Sequence, residues 1–134
     1  MKIVSLNLNG IRSACKKGFL QWLPKQKADI TCLQEIRIQS EQLIGEIQNP
    51  SGMKGIFQFA QKKGYSGVGL YVRKKPDRIK REIGLPEMDG EGRYIQADYG
   101  SLSVISLYLP SGSSSAERQQ FKYRVMDLFA MWME

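Results

Sequence analysis

Two asparagine side chains come at the end of a short stretch that has the pattern of a strand with one buried face. Within residues 3–8, apolar residues alternate with Ser5 and Asn7, and Asn9 and Gly10 follow directly. A carboxamide donates and accepts hydrogen bonds at once, so Asn7 and Asn9 could hold a neighbouring carboxylate and a phosphate oxygen together. The alternative is ordinary turn chemistry, because Asn-Gly is a common turn dipeptide. Taken alone, this stretch favours the turn.

Two further polar side chains come where apolar runs end. Glu35 follows the run 28–33, whose length and flanks are those of a strand covered on both faces, and Tyr108 comes near the end of the run 102–109. A carboxylate is the kind of hard oxygen ligand that Mg²⁺ takes, usually with substrate phosphates completing its shell. A lone glutamate at a strand end is ordinarily just exposed. Glu35 is therefore a candidate metal ligand only if its strand lies beside the strand of Asn7.

The chain contains no histidine among its 134 residues, which limits the chemistry that it could perform. Histidine is the commonest general base near neutral pH and the commonest transition-metal ligand. Any catalysis must therefore use carboxylates, tyrosine, backbone amides or a hard cation. The two cysteines, Cys15 and Cys32, are too few for a disulfide framework or a zinc site, and Cys32 lies inside an apolar run as a small core residue would.

A net charge of +7 and an isoelectric point near 9.5 favour an anionic partner, of which nucleic acid is the commonest. Arg12, Lys16 and Lys17 precede a short apolar helix and could direct a basic loop at phosphates. Lys63 and Tyr65 lie at the tip of a predicted hairpin, where they could contact phosphate and a sugar or base edge. Ordinary solvated side chains are the alternative for both groups.

The apolar patterns along the chain are those of strands with helices between them, which predicts an α/β fold. Strands are predicted over residues 3–8, 28–34, 56–60, 68–72, 93–99 and 102–109. Helices are predicted over 19–23, 40–47 and from the capping-box spacing at 114–117 to the end of the chain. Because the strand at 102–109 is mostly apolar on both faces, it is predicted to be central in its sheet.

The length of the chain fits a single ordinary domain, and its hydrophobic content of 42% is enough for a substantial core. No stretch has the pattern of a signal peptide or of a membrane-spanning helix. The sequence therefore predicts a reducing, cytoplasmic setting as the default.

Five short motifs resemble those of the exonuclease III family of abasic-site (AP) endonucleases, within the endonuclease/exonuclease/phosphatase fold. They fall in the family's order and at its spacing along essentially the whole chain. The matching stretches are Ser5–Arg12, Leu33–Glu35, Gly64–Val68, Glu91–Arg93 and Leu107–Gly112. The run Ser113–Gln120 is similar to the bacterial branch in particular. Any one of these motifs is weak evidence, whereas five in register are strong.

The resemblance implies a role for each of the polar residues that end a strand. Glu35 corresponds to the family's metal-binding glutamate, and Asn9 to a position in the outer metal shell. Asn7 matches the asparagine that supports the catalytic carboxylate and contacts the scissile phosphate, while Tyr108 matches the tyrosine that hydrogen-bonds that phosphate. The implied cofactor is Mg²⁺, with Mn²⁺ as an alternative. The implied contacts to the DNA backbone are made by Arg12, Lys16, Lys17, Lys63, Tyr65 and Arg93.

By the same resemblance, residues 1–134 are the N-terminal half of an endonuclease/exonuclease/phosphatase domain. This is one half of a four-layered α/β sandwich, with a mixed β-sheet and helices on its outer face. Family members are about twice as long, and their second half brings a Gly-Asp-x-Asn segment and a Ser-Asp-His segment with the catalytic aspartate and histidine. The chain alone is therefore expected to have little or no phosphodiesterase activity.

The expected substrate is double-stranded DNA with abasic sites or 3′ ends, and no membrane partner is expected. The apolar faces of 30–33 and 102–109 are expected to lie uncovered, so that the chain dimerises, recruits its missing half or is poorly soluble. An alternative is a non-catalytic double-stranded-DNA-binding module on the same half-fold, which needs the basic residues but not Glu35. A phosphoesterase for lipid or inositol phosphates is a third reading, which Gly10–Arg12 and Gly64–Gly67 disfavour.

Overall fold

The computed structural model describes all of residues 1–134, as two β-sheets packed face to face with helices on both outer sides. The strands are β1 (Ile3–Asn7), β2 (Ile30–Gln34), β3 (Lys54–Gln58), β4 (Val68–Val72), β5 (Arg78–Lys80), β6 (Tyr94–Tyr99) and β7 (Leu102–Leu107). The α-helices are α1 (Ile11–Lys16), α2 (Phe19–Trp22), α3 (Pro86–Gly90) and α4 (Ala116–Met133). No helix is both long and apolar enough to cross a lipid bilayer.

The first sheet is mixed, with the strand order β1-β2-β4-β3. β1 and β2 run parallel, whereas β4 runs antiparallel to both β2 and β3. The β3–β4 pairing confirms the hairpin expected from residues 56–72. In the parallel pair Asn7 lies opposite Gln34, so Asn7 and Glu35 emerge from neighbouring strands at the same edge of the sheet.

The second sheet, with the order β5-β6-β7, covers the inner face of the first sheet. Ile30 and Cys32 of β2 pack in one core with Ile95 of β6 and Val104 of β7, and all four are buried. The expectation that the apolar face of residues 30–33 lies uncovered is therefore wrong. This one chain contributes strands to both sheets, so its own second sheet buries that face.

Helices cover the outer faces of both sheets, so this chain holds parts of all four layers of the sandwich. α1, α2 and the turn at Leu23–Gln26 cover the outer face of the first sheet, where Ile11, Phe19 and Leu23 pack against Tyr71. On the other side, α4 packs on the second sheet. Phe121 and Val125 lie against Met88 of α3 there, as the apolar stripe of residues 121–132 predicts.

Two predicted elements differ from those observed. Residues 40–47 form two short 3₁₀ turns, Ser40–Gln42 and Gly45–Ile47, because Gly45 has a left-handed φ of 63° that breaks a continuous helix. β7 pairs only with β6 and is thus an edge strand, where the sequence predicted a central one. Its apolar residues divide between the inter-sheet core and an open surface, where Leu102 and Ile105 are about 40% exposed.

Candidate active site

The ends of β1 and β2 place an amide and a carboxylate in direct contact. Asn7 Nδ2 donates a hydrogen bond to Glu35 Oε1 at 2.9 Å. The side-chain oxygen Oδ1 of Asn7 accepts a hydrogen bond from the backbone N–H of Asn9 at 3.0 Å, which fixes the orientation of the Asn7 side-chain amide. Asn7 thus uses its donor to hold the Glu35 carboxylate, as the pairing chemistry of a carboxamide permits.

The backbone around this contact takes conformations that non-glycine residues rarely adopt. Asn9, Glu35, Arg37 and Ser66 have φ between 47° and 55°. Such residues cost on the order of 1–3 kcal/mol each, and they persist only where the surroundings over-determine them. Here inter-segment hydrogen bonds do so, from Gly10 N–H to the Glu35 carbonyl at 2.7 Å and from Arg37 N–H to the Ser66 carbonyl at 2.9 Å. The concentration of left-handed residues at one place marks this edge as the candidate functional site.

Tyr108 reaches the same carboxylate from the second sheet. Ser106 of β7 donates to the Leu33 carbonyl at 2.8 Å and accepts from Gln34 Nε2 at 3.1 Å, which holds the end of β7 over the end of β2. Two residues later, the Tyr108 hydroxyl lies near the Glu35 carboxylate. Burial and the nearby carboxylate raise the pKa of Tyr108, so the phenol stays protonated and remains a donor near neutral pH.

The Glu35 carboxylate is surrounded by hydrogen-bond donors. Arg37 Nη2 lies 2.7 Å from Glu35 Oε2 and forms an ion pair in which the Glu35 side chain is 14% exposed. Partial burial alone would raise the pKa of Glu35, but the hydrogen bonds from Asn7, Tyr108 and Arg37 outweigh it and lower the pKa. Glu35 is therefore ionised at neutral pH, as a metal ligand must be.

The donor set around Glu35 fits a hard cation that keeps part of its shell for substrate. No three acidic or cysteine side chains come together in this chain, so the protein offers no closed cage of such ligands. The Glu35 carboxylate is an oxygen ligand of the type that Mg²⁺ takes from proteins. Sites that hold Mg²⁺ through one or two carboxylates leave its remaining positions to water and phosphate oxygens.

Comparison with known proteins shows the family of the chain. Residues 4–132 match the Endonuclease/Exonuclease/phosphatase family. The chain belongs to that family. It is 36% identical over 123 residues to an exodeoxyribonuclease of Bacillus subtilis and 34% identical over 136 residues to a DNA-(apurinic or apyrimidinic site) endonuclease of Dictyostelium discoideum. These alignments cover 91% and 100% of this chain, but 48% and 37% of the respective relatives.

A solved structure shows the same fold. The catalytic domain of Xenopus laevis APE2 superposes with a TM-score of 0.84 and 28% sequence identity, over 96% of this chain and 52% of that one. The chain therefore spans about half the length of its structural relative, and half or less of the two sequence relatives. The recognition of an exonuclease III and AP endonuclease resemblance from the five motifs is confirmed, as is the α/β sandwich class.

In this family member, four of the basic residues expected to contact DNA fall in three different places. Arg12 and Lys16 are exposed on α1 and line a polar cavity together with Arg37. Lys17 lines a separate pocket beside Asn7, whose other wall contains Trp22. Lys63 is exposed at the tip of the β3–β4 hairpin. Arg12, Lys16 and Lys17 thus lie beside the Glu35 edge of the first sheet.

Arg93 has a different environment from the other basic residues. Its side chain is 3% exposed, and each of its three nitrogens donates a hydrogen bond. The acceptors are the carboxylate of Glu91, the backbone carbonyl of Tyr108 and the hydroxyl of Tyr65. This burial does not support the direct phosphate contact expected for Arg93. Tyr65 is half-buried, and its hydroxyl is the acceptor for Arg93 rather than a free group at the hairpin tip.

Sequence reasoning missed three residues that the structure connects to the site. Arg37 pairs with Glu35, while Glu91 and Arg118 form a bidentate ion pair beside Arg93. Arg37 comes only two residues after Glu35, and this short spacing could have indicated the ion pair from the sequence. Glu91 lies within a quoted motif, but its partner Arg118 is 27 residues away on α4. Only the packing of α4 on the second sheet shows that pairing.

Proposed function

We propose that this chain carries part of the active centre of a magnesium-dependent DNA repair nuclease. The whole enzyme would hydrolyse the phosphodiester on the 5′ side of abasic sites and remove nucleotides from the 3′ ends of duplex DNA. The observation that carries this proposal is the convergence of Asn7 and Tyr108 on the Glu35 carboxylate, at the ends of strands from both sheets. The basic residues Arg12 and Lys16 beside that point fit a polyanionic substrate.

Each residue has a role that follows from its contacts. Glu35, ionised and open on one side, would hold Mg²⁺, with Asn9 in its outer shell and Asn7 orienting the carboxylate. The protonated phenol of Tyr108 is a donor for a phosphate oxygen, where negative charge grows during phosphodiester hydrolysis. When bound, Mg²⁺ would polarise the phosphate and neutralise part of that charge. Arg12, Lys16, Lys17 and Lys63 would contact the DNA backbone and set its register.

The proposed centre is incomplete within these residues. No histidine is present, and the partners of Glu35 are an amide, a phenol and a guanidinium rather than a carboxylate that could activate water. We therefore propose that residues 1–134 alone cleave DNA slowly or not at all, and that a further segment of the domain supplies the general base. The cytoplasmic setting expected from the composition is part of the same proposal.

Metal-dependent DNA binding tests this function directly. Affinity for a short duplex with a stable abasic-site analogue is measured by fluorescence anisotropy, with and without Mn²⁺. Wild type should bind roughly 5–10-fold more tightly with the metal, which is about 1–1.4 kcal/mol, and Glu35→Gln should lose that increment. Glu41→Gln, an exposed glutamate in the turn Ser40–Gln42, is the matched control and should behave as wild type.

The same titration separates the alternative function. A non-catalytic DNA-binding module would bind duplex in a salt-dependent manner, with an affinity that neither Mn²⁺ nor Glu35→Gln changes. That result would contradict the nuclease proposal while leaving the basic surface as a DNA contact. Absence of any duplex binding by wild type would contradict both functions.

A further inference from the structure

A chain of charged contacts joins α4 to the back of the candidate active site. Arg118 of α4 donates to both oxygens of Glu91, at 2.9 and 3.0 Å. Glu91 Oε2 in turn accepts from Arg93 Nε at 2.5 Å. The Arg93 guanidinium lies 4.8 Å from the centre of the Tyr108 ring and donates to the Tyr108 backbone carbonyl at 3.1 Å. The far end of Tyr108 is the hydroxyl that contacts Glu35.

We propose that Arg93, held by Glu91 and Arg118, is a positioning residue that sets the place of the Tyr108 phenol over Glu35. This inference rests on the proposed function, since it concerns the donor that would meet the phosphate. Arg93 acts on Tyr108 through two contacts, one to its backbone and one to the face of its ring. Through its third nitrogen it also holds the hydroxyl of Tyr65, 2.9 Å away.

The chemistry of the contacts requires arginine at this position. The guanidinium is planar and presents its donors in a fixed fork, so it can meet a carboxylate, a carbonyl and a hydroxyl at once while its face lies on an aromatic ring. A lysine at the same place is a point charge that cannot make this combination. A buried ion pair is also weak evidence for a stabilising role, because apolar residues of similar volume often serve stability as well or better. The geometry of Arg93 is therefore better explained by the tyrosines that it places.

The first test observes Tyr108 itself, at constant pH. The protein is labelled with ¹³Cζ-tyrosine, and each of its six tyrosine signals is assigned by a Tyr→Phe variant. In Arg93→Lys, the Tyr108 signal should shift toward that of Tyr123, whose side chain is exposed, while the signal of buried Tyr71 stays in place and reports an intact fold. Arg118→Lys, which leaves Arg93 present, should shift Tyr108 in the same direction by less.

The control and the second test separate positioning from general stabilisation. Arg124→Lys is the matched control, because Arg124 lies on α4 like Arg118 and pairs with Glu87 of α3, but is exposed. The Tyr108 signal of this variant should be unchanged. The second test measures duplex binding in two backgrounds. In the wild-type background, Arg93→Lys should weaken the affinity for duplex DNA roughly tenfold. In the Tyr108→Phe background, the same substitution should weaken it less than about twofold. Equal losses in both backgrounds, or an unmoved Tyr108 signal, would overturn the inference. If wild type binds no duplex, the proposed function fails and the Tyr108 signal alone decides the positioning role.

Discussion

Individual carboxylates in this chain are held ionised by hydrogen-bond donors, some adjacent in sequence and others brought in by the fold. Burial acts against the charged form of Glu35 and Glu91, but hydrogen bonds outweigh it and lower the pKa of both. Asp98 of β6 is the extreme case, since hydrogen bonds from Ser103, Gln96 and Arg78 lower its pKa to about 2. The native state therefore depends on carboxylates whose partners exist only after the second sheet has formed.

Asp98 should give the folded state a measurable acid sensitivity. Its pKa of about 2 in the folded chain is below its ordinary value of 3.8, so the unfolded chain binds the proton more readily. The stabilisation that Asp98 provides is thus complete above about pH 4 and is lost as the pH falls toward 2. Urea unfolding at a series of pH values should show a shallower loss of stability over that range in Asp98→Asn than in wild type. Asp127→Asn, at an exposed position on α4, should retain the wild-type slope.

At the scale of elements, the turn that leads into β6 depends on a glycine. Gly92 has a φ of 58°, and a Cβ there would come within 2.6 Å of the backbone of Phe59 and Ala60 at the end of β3. Phe59 and Ala60 follow β3 directly, and their backbone atoms cannot move aside as a flexible side chain can. Gly92 therefore allows the turn before β6 to lie directly against the first sheet, which sets Glu91 and Arg93 in place.

Alanine at two glycines should separate backbone strain from steric overlap. Gly64 has a φ of 67° with nothing near its missing Cβ, so Gly64→Ala should cost only the strain of the left-handed region, about 1–2 kcal/mol. Gly92→Ala incurs the same strain together with the overlap, which should add about 1–3 kcal/mol. Denaturant unfolding of both variants measures the difference. Equal stability losses would show that the turn can move away from β3.

At the scale of the whole molecule, both sheets end at the same side of the sandwich. β1 is the edge of the first sheet, and β7, which lies over β2 and β4, is the edge of the second sheet. Ile3 of β1 is 46% exposed, and Leu102 and Ile105 of β7 are 40% and 41% exposed. Open edges with apolar side chains are surfaces to which further strands can add.

We expect the isolated chain to associate through this side in a concentration-dependent way. Sedimentation velocity at rising protein concentration should show species larger than the monomer for wild type. Ile105→Lys should shift the distribution toward monomer, because charges on an edge strand oppose pairing. Ile79→Lys is the matched control, since Ile79 is 39% exposed but lies on β5, the opposite edge of the second sheet. A wild-type chain that stays monomeric throughout would contradict this expectation.

Much of the site could be predicted from sequence, because polar residues that end apolar runs are local signals. The alternation in residues 3–8 and the run 28–33 placed Asn7 and Glu35 at strand ends, and the parallel pairing of β1 with β2 brings them together. The edge position of β7 was not predictable in this way. A strand that is apolar on both faces satisfies the same pattern whether its second face meets a neighbouring sheet or an open surface.

The sequence by itself determined the strand ends, the hairpin, the basic surface and the absence of histidine chemistry, since each depends on residue type and short spacing. Only the tertiary structure decided that β7 folds back over β2, that Tyr108 meets Glu35, and that Arg93 is buried behind them. The physical reason is that a hydrogen bond or an ion pair requires two groups within about 3 Å. Glu35 and Tyr108 are 73 residues apart in the chain, and their distance is set by how the two sheets pack rather than by either local pattern.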